Sequence, residues 1–212
     1  SNFKSEMTLW DAKVTGELFN LPAGAVSAAA GVEARREALE INPSALAIAG
    51  ALYHTAQADP AFARSRNIAS LYTEVSAPIL KSLEAQFAAR FDKYSDYGNS
   101  TTPKLSLKWT ASPALLVRGT YSTGFRAPTL IENSSQIKKA FLSFKDPERC
   151  NAKFLVGCQG SSAYESGANP FLKPETAKSF TLGAVFEPTT WLNGSIDAWE
   201  IKRKDEISTY SL

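Results

Sequence analysis

The sequence of 212 residues predicts an all-β fold, an antiparallel sheet of about eight strands. Three observations predict it. Apolar and polar side chains alternate with period two in several segments. Short connections between these segments alternate with long ones. No run of 18 apolar residues suggests a transmembrane helix, yet a strand crosses a bilayer with only about 9–11 residues, half of which can be polar. The strands are therefore candidates for crossing a membrane.

The clearest strand is the segment SLEAQFAARFDKY, residues 82–94. Leu83 and Phe87 belong to one register of the alternation, and Glu84 and Arg90 belong to the other. On a helix, the charged residues would be scattered among the apolar ones, whereas on a strand they share one face. The segment is therefore predicted to be a strand.

The same alternation predicts strands at residues 103–110, 115–123 and 176–187. Residues 66–77 and 191–207 show weaker versions of it. The apolar sides of these two weaker strands are expected to carry Leu71, Thr73, Val75, Ile196 and Ala198.

The segment at residues 25–40 is ambiguous, because its alanines favour a helix. Val26 and Val32 nevertheless share one strand face, with Glu33 and Arg35 on the other. The preceding segment ends in a PAG turn, which would join the two segments as a hairpin. The hairpin favours a strand.

The connections have an alternating length pattern. Those near Pro22, Pro78, Pro113 and Pro188 are short. A soluble sandwich has no reason to make every second connection short, whereas an outer-membrane barrel has tight periplasmic turns and long extracellular loops. We therefore predict a transmembrane β-barrel segment. The longer connections are expected at residues 41–66, 95–102 and 125–175.

The charged register indicates which face meets water. A basic residue on the lipid face at the bilayer midplane costs about 2–4 kcal/mol, so the basic residues of these strands must face the lumen or lie near a rim. Glu33 and Arg35 are expected to join them in cross-strand charge pairs along the wall. The residues predicted to face the lumen are Glu84, Arg90, Lys108 and Arg118, and Lys104 faces the lumen or lies near a rim.

The aromatic residues suggest two girdles, one at each membrane interface. The alternative is that aromatic residues are simply common in strands. Trp109, Phe186 and Trp191 lie beside short turns, and Tyr94, Tyr97, Tyr121 and Phe125 lie near the long connections.

Composition excludes several classes of function. The formal charge of +2 offers no concentrated basic surface for nucleic acid. No nucleophile elbow or P-loop motif predicts an enzyme, and the single histidine, His54, gives no metal-ligand spacing. We therefore expect no catalytic residue, metal or cofactor. Cys150 and Cys158, with seven residues between them, suit either a small disulfide loop in an oxidising compartment or two free thiols.

Three blocks of sequence resemble the TonB-dependent receptors of the Gram-negative outer membrane. They are GELFNLPAGAVSAAAGVEARRE (residues 16–37), residues 71–130 and NPFLKPETAKSFTLGAVFEPT (residues 169–189). The resemblance implies a barrel of roughly 22 strands, closed by an N-terminal plug domain. It also implies import of a scarce ligand, such as an iron siderophore, cobalamin or an oligosaccharide, energised through TonB, ExbB and ExbD.

Residues 1–212 are expected to lie entirely within the barrel domain, because no plug and no TonB-contacting segment can be identified. The chain is then an interior piece of the barrel, with lipid, the plug and the remaining strands as its partners, and it would not transport a ligand alone. The alternative is a self-contained small outer-membrane barrel with a structural or adhesion role, since eight strands can close.

The resemblance also indicates where a ligand would be met. TYSTGFRAP matches the point where a strand emerges at the extracellular rim, so residues 129–168 are expected to form an extracellular loop. Arg126 either faces the lumen near the ligand or pairs locally with a carboxylate. The matching motif positions are Gly124, Phe125, Arg126, Ala127, Pro128, Asn169, Pro170, Leu172, Lys173, Pro174 and Glu175. The candidate ligand contacts are Tyr97, Phe125, Arg126, Phe141, Phe144 and Tyr164.

Overall fold

A computed structural model describes residues 2–49, 61–135, 137–145 and 159–208. Eight strands form one antiparallel sheet in the order β1-β2-β3-β4-β5-β6-β9-β10, which confirms the predicted all-β class and strand number. The elements are β1 (Asn2–Leu21), β2 (Gly24–Asn42), α1 (Ala45–Ile48), β3 (Phe62–Leu80), β4 (Leu83–Tyr94), β5 (Gly98–Ser112), β6 (Leu115–Arg126), β7 (Ile137–Lys145), β8 (Gln159–Gly167), β9 (Glu175–Thr189) and β10 (Leu192–Lys204).

The predicted short connections are confirmed, and each is two residues long: 22–23, 81–82, 113–114 and 190–191. Backbone hydrogen bonds beside two of these turns, from Thr110 N to Ser82 O and from Glu187 N to Ala114 O, measure 2.8 Å each. Such short turns limit how the two strands can align, and a register shift lies beside three of them, between Pro78 and Leu80, between Thr110 and Ser112, and between Leu192 and Gly194.

The longer connection predicted at residues 95–102 is wrong in extent. It comprises only residues 95–97, because β5 begins at Gly98. The φ of Gly98 is 119°, a conformation that glycine adopts without strain and that other residues rarely adopt. Pro103 lies inside β5, opposite Ala89. The sequence pattern placed the start of this strand at Pro103. A proline within a sheet is usually the first residue of a strand, or lies in an edge strand or a bulge.

The stretch at residues 129–168, expected to be a loop, contains strands β7 and β8. They form a separate two-stranded antiparallel sheet with a register from Ile137 opposite Gly167 to Lys145 opposite Gln159. The other long connection, residues 43–61, contains the short helix α1, whose N-cap residue Ser44 accepts a hydrogen bond from Ala47 N at 3.3 Å.

The chain divides into two compact units, which are described separately. The first comprises residues 1–6, 38–65 and 129–172, and the second comprises residues 7–37, 66–128 and 173–212.

In the first unit, a turn follows Thr129. Thr129 N donates to Glu132 Oε2 at 2.8 Å, and Glu132 N donates to Thr129 Oγ1 at 3.2 Å, the reciprocal arrangement of a capping box. Asn169 N donates to Glu132 O at 2.9 Å, and Arg64 Nη1 donates to Asn133 O. These bonds hold the start of the NPFLKPE segment beside this turn.

In the second unit, the strand register separates two faces of the sheet. We call the face that carries Glu84, Arg90 and Lys108 the charged face, and the face that carries Phe87, Leu105 and Tyr121 the apolar face. Residues of the charged face lie opposite one another across strands, and so do residues of the apolar face. The apolar face comprises Leu71, Val75, Phe87, Phe91, Leu105, Leu107, Trp109, Tyr121, Phe180, Leu182, Phe186 and Ile196.

Large side chains of the apolar face are exposed, whereas some of those on the charged face are buried. Ile68 and Tyr94, on the charged face, are 2% and 9% exposed, whereas Leu71 and Phe87, on the apolar face, are 57% and 47% exposed. A soluble protein rarely leaves so extended an apolar surface uncovered. The apolar residues therefore do not form a dry protein core.

Trp109 and Phe186 are exposed on the apolar face near two-residue turns, as the girdle prediction requires, and the girdle itself stays a prediction. The prediction is wrong for Tyr94, which lies opposite Ile68 on the charged face and is buried. The period-two register that places Arg90 on the charged face also places Tyr94 there, four residues later.

Gly183 permits a charge pair to cross a strand. It lies between Arg118 on β6 and Asp197 on β10, and the guanidinium donates to both carboxylate oxygens, at 2.9 and 3.0 Å. A Cβ at Gly183 would lie 2.0 Å from Asp197 Oδ1. The absence of a side chain at this position therefore lets the pair span three strands.

The sheet does not close. In the described part of the chain, β1 and β10 are its two edges and do not pair with each other. The eight strands therefore do not form the small self-contained barrel that the sequence left open as an alternative.

Candidate functional site

A network of charged side chains covers the charged face near the ends of β2, β3 and β4 that lie away from the two-residue turns. We call these the loop ends of the strands. At its centre, Arg90 contacts Asp92 at 2.8 Å and Glu33 at 3.1 Å, and its Nη2 donates to Ser70 Oγ at 2.9 Å. Ser70 in turn donates to Asp92 Oδ1 at 2.5 Å. Asp92 is 3% exposed, so this carboxylate depends on its partners for the hydrogen bonds that water would otherwise provide.

The network continues through Glu37. Glu37 Oε1 lies 3.1 Å from Arg35 Nε, and its Oε2 lies 2.7 Å from Arg66 Nη2. Arg66 also donates from Nη1 to the carbonyl oxygen of Pro128 at 2.7 Å, and its guanidinium lies 5.4 Å from the ring centre of Tyr94. This guanidinium therefore links β2 and β3 to the end of the GFRAP motif.

A cleft of about 450 Å³ opens on the charged face beside this network. Part of its wall is polar and part is the backbone around Gly124, where β6 nears its end. Its lining residues are Glu33, Arg35, Arg90, Asp92, Tyr94, Thr102, Thr123, Gly124, Phe125 and Ala127.

The charges beside the cleft are nearly balanced. Glu33, Arg35, Arg90 and Asp92 contribute two negative and two positive charges. Glu33 Oε1 and Arg35 Nε lie in charge pairs without hydrogen-bond geometry and are buried. The cleft can therefore donate and accept hydrogen bonds, but it does not concentrate charge of one sign.

The two motif segments meet at the loop end of β6. Arg126, the last residue of β6, lies opposite Glu175, the first residue of β9, and Arg126 Nη2 lies 2.8 Å from Glu175 Oε1. Ile207 N donates to the same oxygen at 2.7 Å. Of the two roles considered for Arg126, pairing with a carboxylate is the one that this geometry shows.

The pKa of Glu175 is lowered to about 2, chiefly by the hydrogen bond from Arg126 and next by the backbone N–H of Ile207. A lowered folded-state pKa stabilises the protein above the ordinary carboxyl pKa, and this contribution is lost as the pH falls toward 2. In urea unfolding, the stability advantage of the parent over a Glu175→Gln variant is therefore expected to be constant from pH 8 to 6 and to shrink from pH 5 to 2.5. A difference that is constant over the whole range would contradict the pairing. Glu206→Gln, which removes an exposed carboxylate, is the control.

The candidate ligand contacts do not form one site in the described residues. Phe125 is in the same register as Tyr121, but at the end of β6 it borders the cleft and packs edge-on against Tyr94, with ring centres 5.8 Å apart. Tyr97 lies in the β4–β5 turn, 4.5 Å from the ring of Tyr94, and burial raises its pKa. The side chains of Phe141, Phe144 and Tyr164 lie outside the described structure, as do residues Cys150 and Cys158.

The other motif residues shape the ends of strands. Pro128 is fully buried, and Asn169 Oδ1 accepts a hydrogen bond from Phe171 N at 2.9 Å. Leu172 N donates to Asn169 O at 3.3 Å. These contacts form a turn rather than a ligand pocket.

Sequence reasoning placed Glu37 on the same face as Glu33 and Arg35 but did not include it among the charge pairs, and it missed Ser70, Tyr72 and Arg66. Tyr72 lies opposite Arg90, whose guanidinium is 5.9 Å from its ring centre. The strand predicted at residues 66–77 begins at Arg66, and its period-two register already places Arg66 opposite to the apolar side. Its partner on β2 could not be found in this way, because strand alignment is a property of the sheet.

No group of three or more metal-ligating side chains occurs in the described residues. No helix in the described part of the chain is long and apolar enough to cross a bilayer.

Comparison with known proteins identifies the family. The family model of the TonB dependent receptor-like β-barrel matches residues 5–212. The chain belongs to this family. It is thus an outer-membrane receptor-barrel chain, and the family consists of receptors and transporters rather than enzymes.

Two sets of relatives are similar to this TonB-dependent receptor chain. An iron-regulated outer membrane virulence protein of Vibrio cholerae serotype O1 is 29% identical over 122 residues, which are 58% of the chain and 16% of that protein. The siderophore receptor PirA of Acinetobacter baumannii has a TM-score of 0.72 at 20% identity, over 96% of this chain and 28% of that one. The ferric enterobactin receptor PfeA of Pseudomonas aeruginosa has a TM-score of 0.72 at 17% identity, over 95% of this chain and 27% of that one.

The two structural likenesses show the fold, because their identities are low. The chain spans about a sixth of the length of the curated relative and just over a quarter of the solved receptors. An open eight-stranded sheet agrees with these proportions.

Proposed function

We propose that this chain supplies eight neighbouring strands to the wall of a larger TonB-energised barrel that imports a ferric siderophore. One observation carries the proposal: the sheet is open at both edges, exposes its apolar face and carries charge pairs on the opposite face. Unpaired strand edges are not tolerated in lipid, so β1 and β10 require further strands on each side. These strands, and a plug inside the barrel, come from the rest of the receptor.

In this proposal, the apolar face meets lipid and the charged face lines the lumen. Glu84 and Lys108 pair at 3.2 Å, and Arg118 and Asp197 pair at 2.9 Å. Both pairs are about half exposed, as expected along a wall that meets water. In this proposal, all 212 residues belong to the barrel domain. Unlike a soluble sandwich, such a wall needs no second sheet to cover its apolar side.

A siderophore is favoured over cobalamin or an oligosaccharide by the relatives, whose names refer to iron regulation and to siderophore receptors. The cleft by itself does not select an anion, because its charges balance. We propose that Phe125 contacts the ligand from the barrel wall, with Tyr97, Arg126, Phe141, Phe144 and Tyr164 as further contacts. A ligand that engages Arg126 must compete with Glu175.

Uptake of radioactive iron tests the function. A strain lacking the gene that encodes this chain is expected to lose uptake of iron supplied as ferric enterobactin under iron limitation, and the gene should restore it. The restored uptake should disappear when TonB is also deleted. The same strains are given labelled cobalamin and a labelled maltooligosaccharide as controls. Uptake that persists without TonB, or that occurs only with a control ligand, would contradict the proposal.

A further inference from the structure

A single carboxylate oxygen joins three strand ends in the second unit. Glu175 Oε1 lies 2.8 Å from Arg126 Nη2 and accepts a hydrogen bond from Ile207 N at 2.7 Å. Arg126 is the last residue of β6, Glu175 is the first residue of β9, and Ile207 follows the end of β10 at Lys204. Glu175 therefore links the loop ends of β6 and β9 to the segment after β10.

The strand register places this ion pair on the charged face. Arg126 and Arg118 are an even number of positions apart along β6, so their side chains point to the same side of the sheet. Glu175 lies directly opposite Arg126, and residues opposite each other share a face. In the proposed function, the pair thus lies on the wall of the lumen, at its loop end.

The two partners differ in their access to solvent. The Arg126 side chain is 43% exposed, whereas that of Glu175 is 12% exposed. The chain neighbours of Arg126, which are Phe125 and Ala127, border the cleft of about 450 Å³ on the charged face. An anionic group that enters this cleft can therefore reach the guanidinium of Arg126 more easily than it can reach Glu175.

Such a group would compete with Glu175. A carboxylate and an anionic ligand oxygen both accept hydrogen bonds and donate none, so they require the same N–H groups of the guanidinium. Like charges at this separation also repel each other. A partly exposed ion pair contributes little free energy, so a ligand with several negatively charged oxygens can replace the carboxylate.

The segment after β10 depends on the same oxygen. Asp205 has a φ of 56° and is the one non-glycine residue with a positive φ in the described part of the chain. Aspartate adopts this left-handed conformation more readily than most residues, and the strand ends there. Beyond this turn, Asp205 and Glu206 are exposed and Ile207 is half-buried. The hydrogen bond from Ile207 N to Glu175 ties the segment to β9.

We propose that Glu175 competes with an anionic ligand for Arg126, and that ligand binding is thereby signalled to the segment after β10. The proposal rests on the proposed function, in which the ligand is a ferric siderophore with negatively charged oxygens around the iron. When the ligand takes the guanidinium, Glu175 turns away from it, and the N–H of Ile207 loses its acceptor. Coupling between two binding events is reciprocal, so a receptor without the Glu175 carboxylate binds the ligand more tightly.

The affinity of the full-length receptor for ferric enterobactin tests the competition. Isothermal titration calorimetry in detergent gives the dissociation constants. Glu175→Ala is expected to bind about fivefold more tightly than the parent, because no partly exposed ion pair has to be broken. Glu206→Ala removes an exposed carboxylate from the same region and should bind as the parent does. If Glu175→Ala does not assemble, Glu175→Gln removes the charge, keeps the shape of the side chain and should show the same gain.

Hydrogen–deuterium exchange measured by mass spectrometry tests the signal. In the parent receptor, saturating ferric enterobactin is expected to add about one early deuteron to the peptide that contains Ile207, because its N–H is no longer protected. In Glu175→Ala, this peptide should exchange rapidly without ligand, and the ligand should add nothing. Glu206→Ala should respond to the ligand as the parent does.

The results separate this inference from the proposed function. Unchanged affinity in Glu175→Ala, or an equal gain in Glu206→Ala, would overturn the competition. Ligand binding without faster exchange at Ile207 would overturn the signal, while binding and iron uptake would still support the proposed function. A parent receptor that does not bind ferric enterobactin would overturn the proposed function and this inference together.

Discussion

Replacing Phe87 with lysine is expected to destabilise the assembled receptor by about 2–4 kcal/mol. Phe87 lies near the middle of β4 on the apolar face, opposite Val75 and Leu105, and is 47% exposed. If this face meets lipid, the ammonium group is placed in hydrocarbon, where no described neighbour can compensate it. If the face met water, exposing a lysine there would cost little.

The neighbouring substitution Ala88→Lys is the matched control. Ala88 lies on the charged face between Glu74 on β3 and Lys104 on β5, so a lysine there stays on the wet face beside one acidic and one basic side chain. Urea unfolding of the full-length receptor in lipid vesicles gives both free energies. Heat-modifiable migration on gels shows whether each variant assembles. Equal stabilities of the two variants would contradict the assignment of the faces.

The second large effect is expected from Arg66→Leu. The Arg66 side chain is 10% exposed. Its Nη2 lies 2.7 Å from Glu37 Oε2, and its Nη1 donates to the carbonyl oxygen of Pro128 at 2.7 Å. Removing one partner of a buried pair costs about 3–5 kcal/mol, because the other partner is left without compensation. We expect about 3 kcal/mol, the lower end of this range, because Glu37 retains Arg35 at 3.1 Å.

The control for this effect is Arg203→Leu, which removes an exposed guanidinium 3.5 Å from the exposed Glu206 and is expected to cost less than about 1 kcal/mol. Adding Glu37→Gln to Arg66→Leu should recover part of the loss, since the unpaired carboxylate is then absent. A loss no larger than that of Arg203→Leu, or no recovery in the double variant, would show that the network does not stabilise the wall.

Local alternation was sufficient to predict most of the strands. The predicted range of residues 82–94 differs from the observed β4, Leu83–Tyr94, by one residue. Residues 176–187 were predicted as a strand, and β9 extends from Glu175 to Thr189. Each strand carries its own period-two signal, because one face meets an apolar surrounding and the other a polar one.

The same local signal failed where that contrast is absent. Strand β8 contains mainly polar and small residues, and in β7 the apolar and polar residues occur in runs rather than in alternation, so the sequence predicted a loop there. The last strand also breaks the pattern. Trp199 and Ile201 lie on the charged face, opposite Thr181 and Ser179, although they are apolar. The expected apolar side of that strand, with Ile196 and Ala198, is on the apolar face as predicted.

By itself, the sequence determined the class of fold, the positions of the short turns and the face to which Glu84, Arg90, Lys108 and Arg118 belong, because these depend on neighbours within one strand or one hairpin. Only the tertiary structure decided which charges meet. Arg66 and Pro128 are 62 residues apart in the sequence, and Arg118 and Asp197 are 79 apart. Their contacts follow from how separate strands align in the sheet, and no single segment contains that alignment.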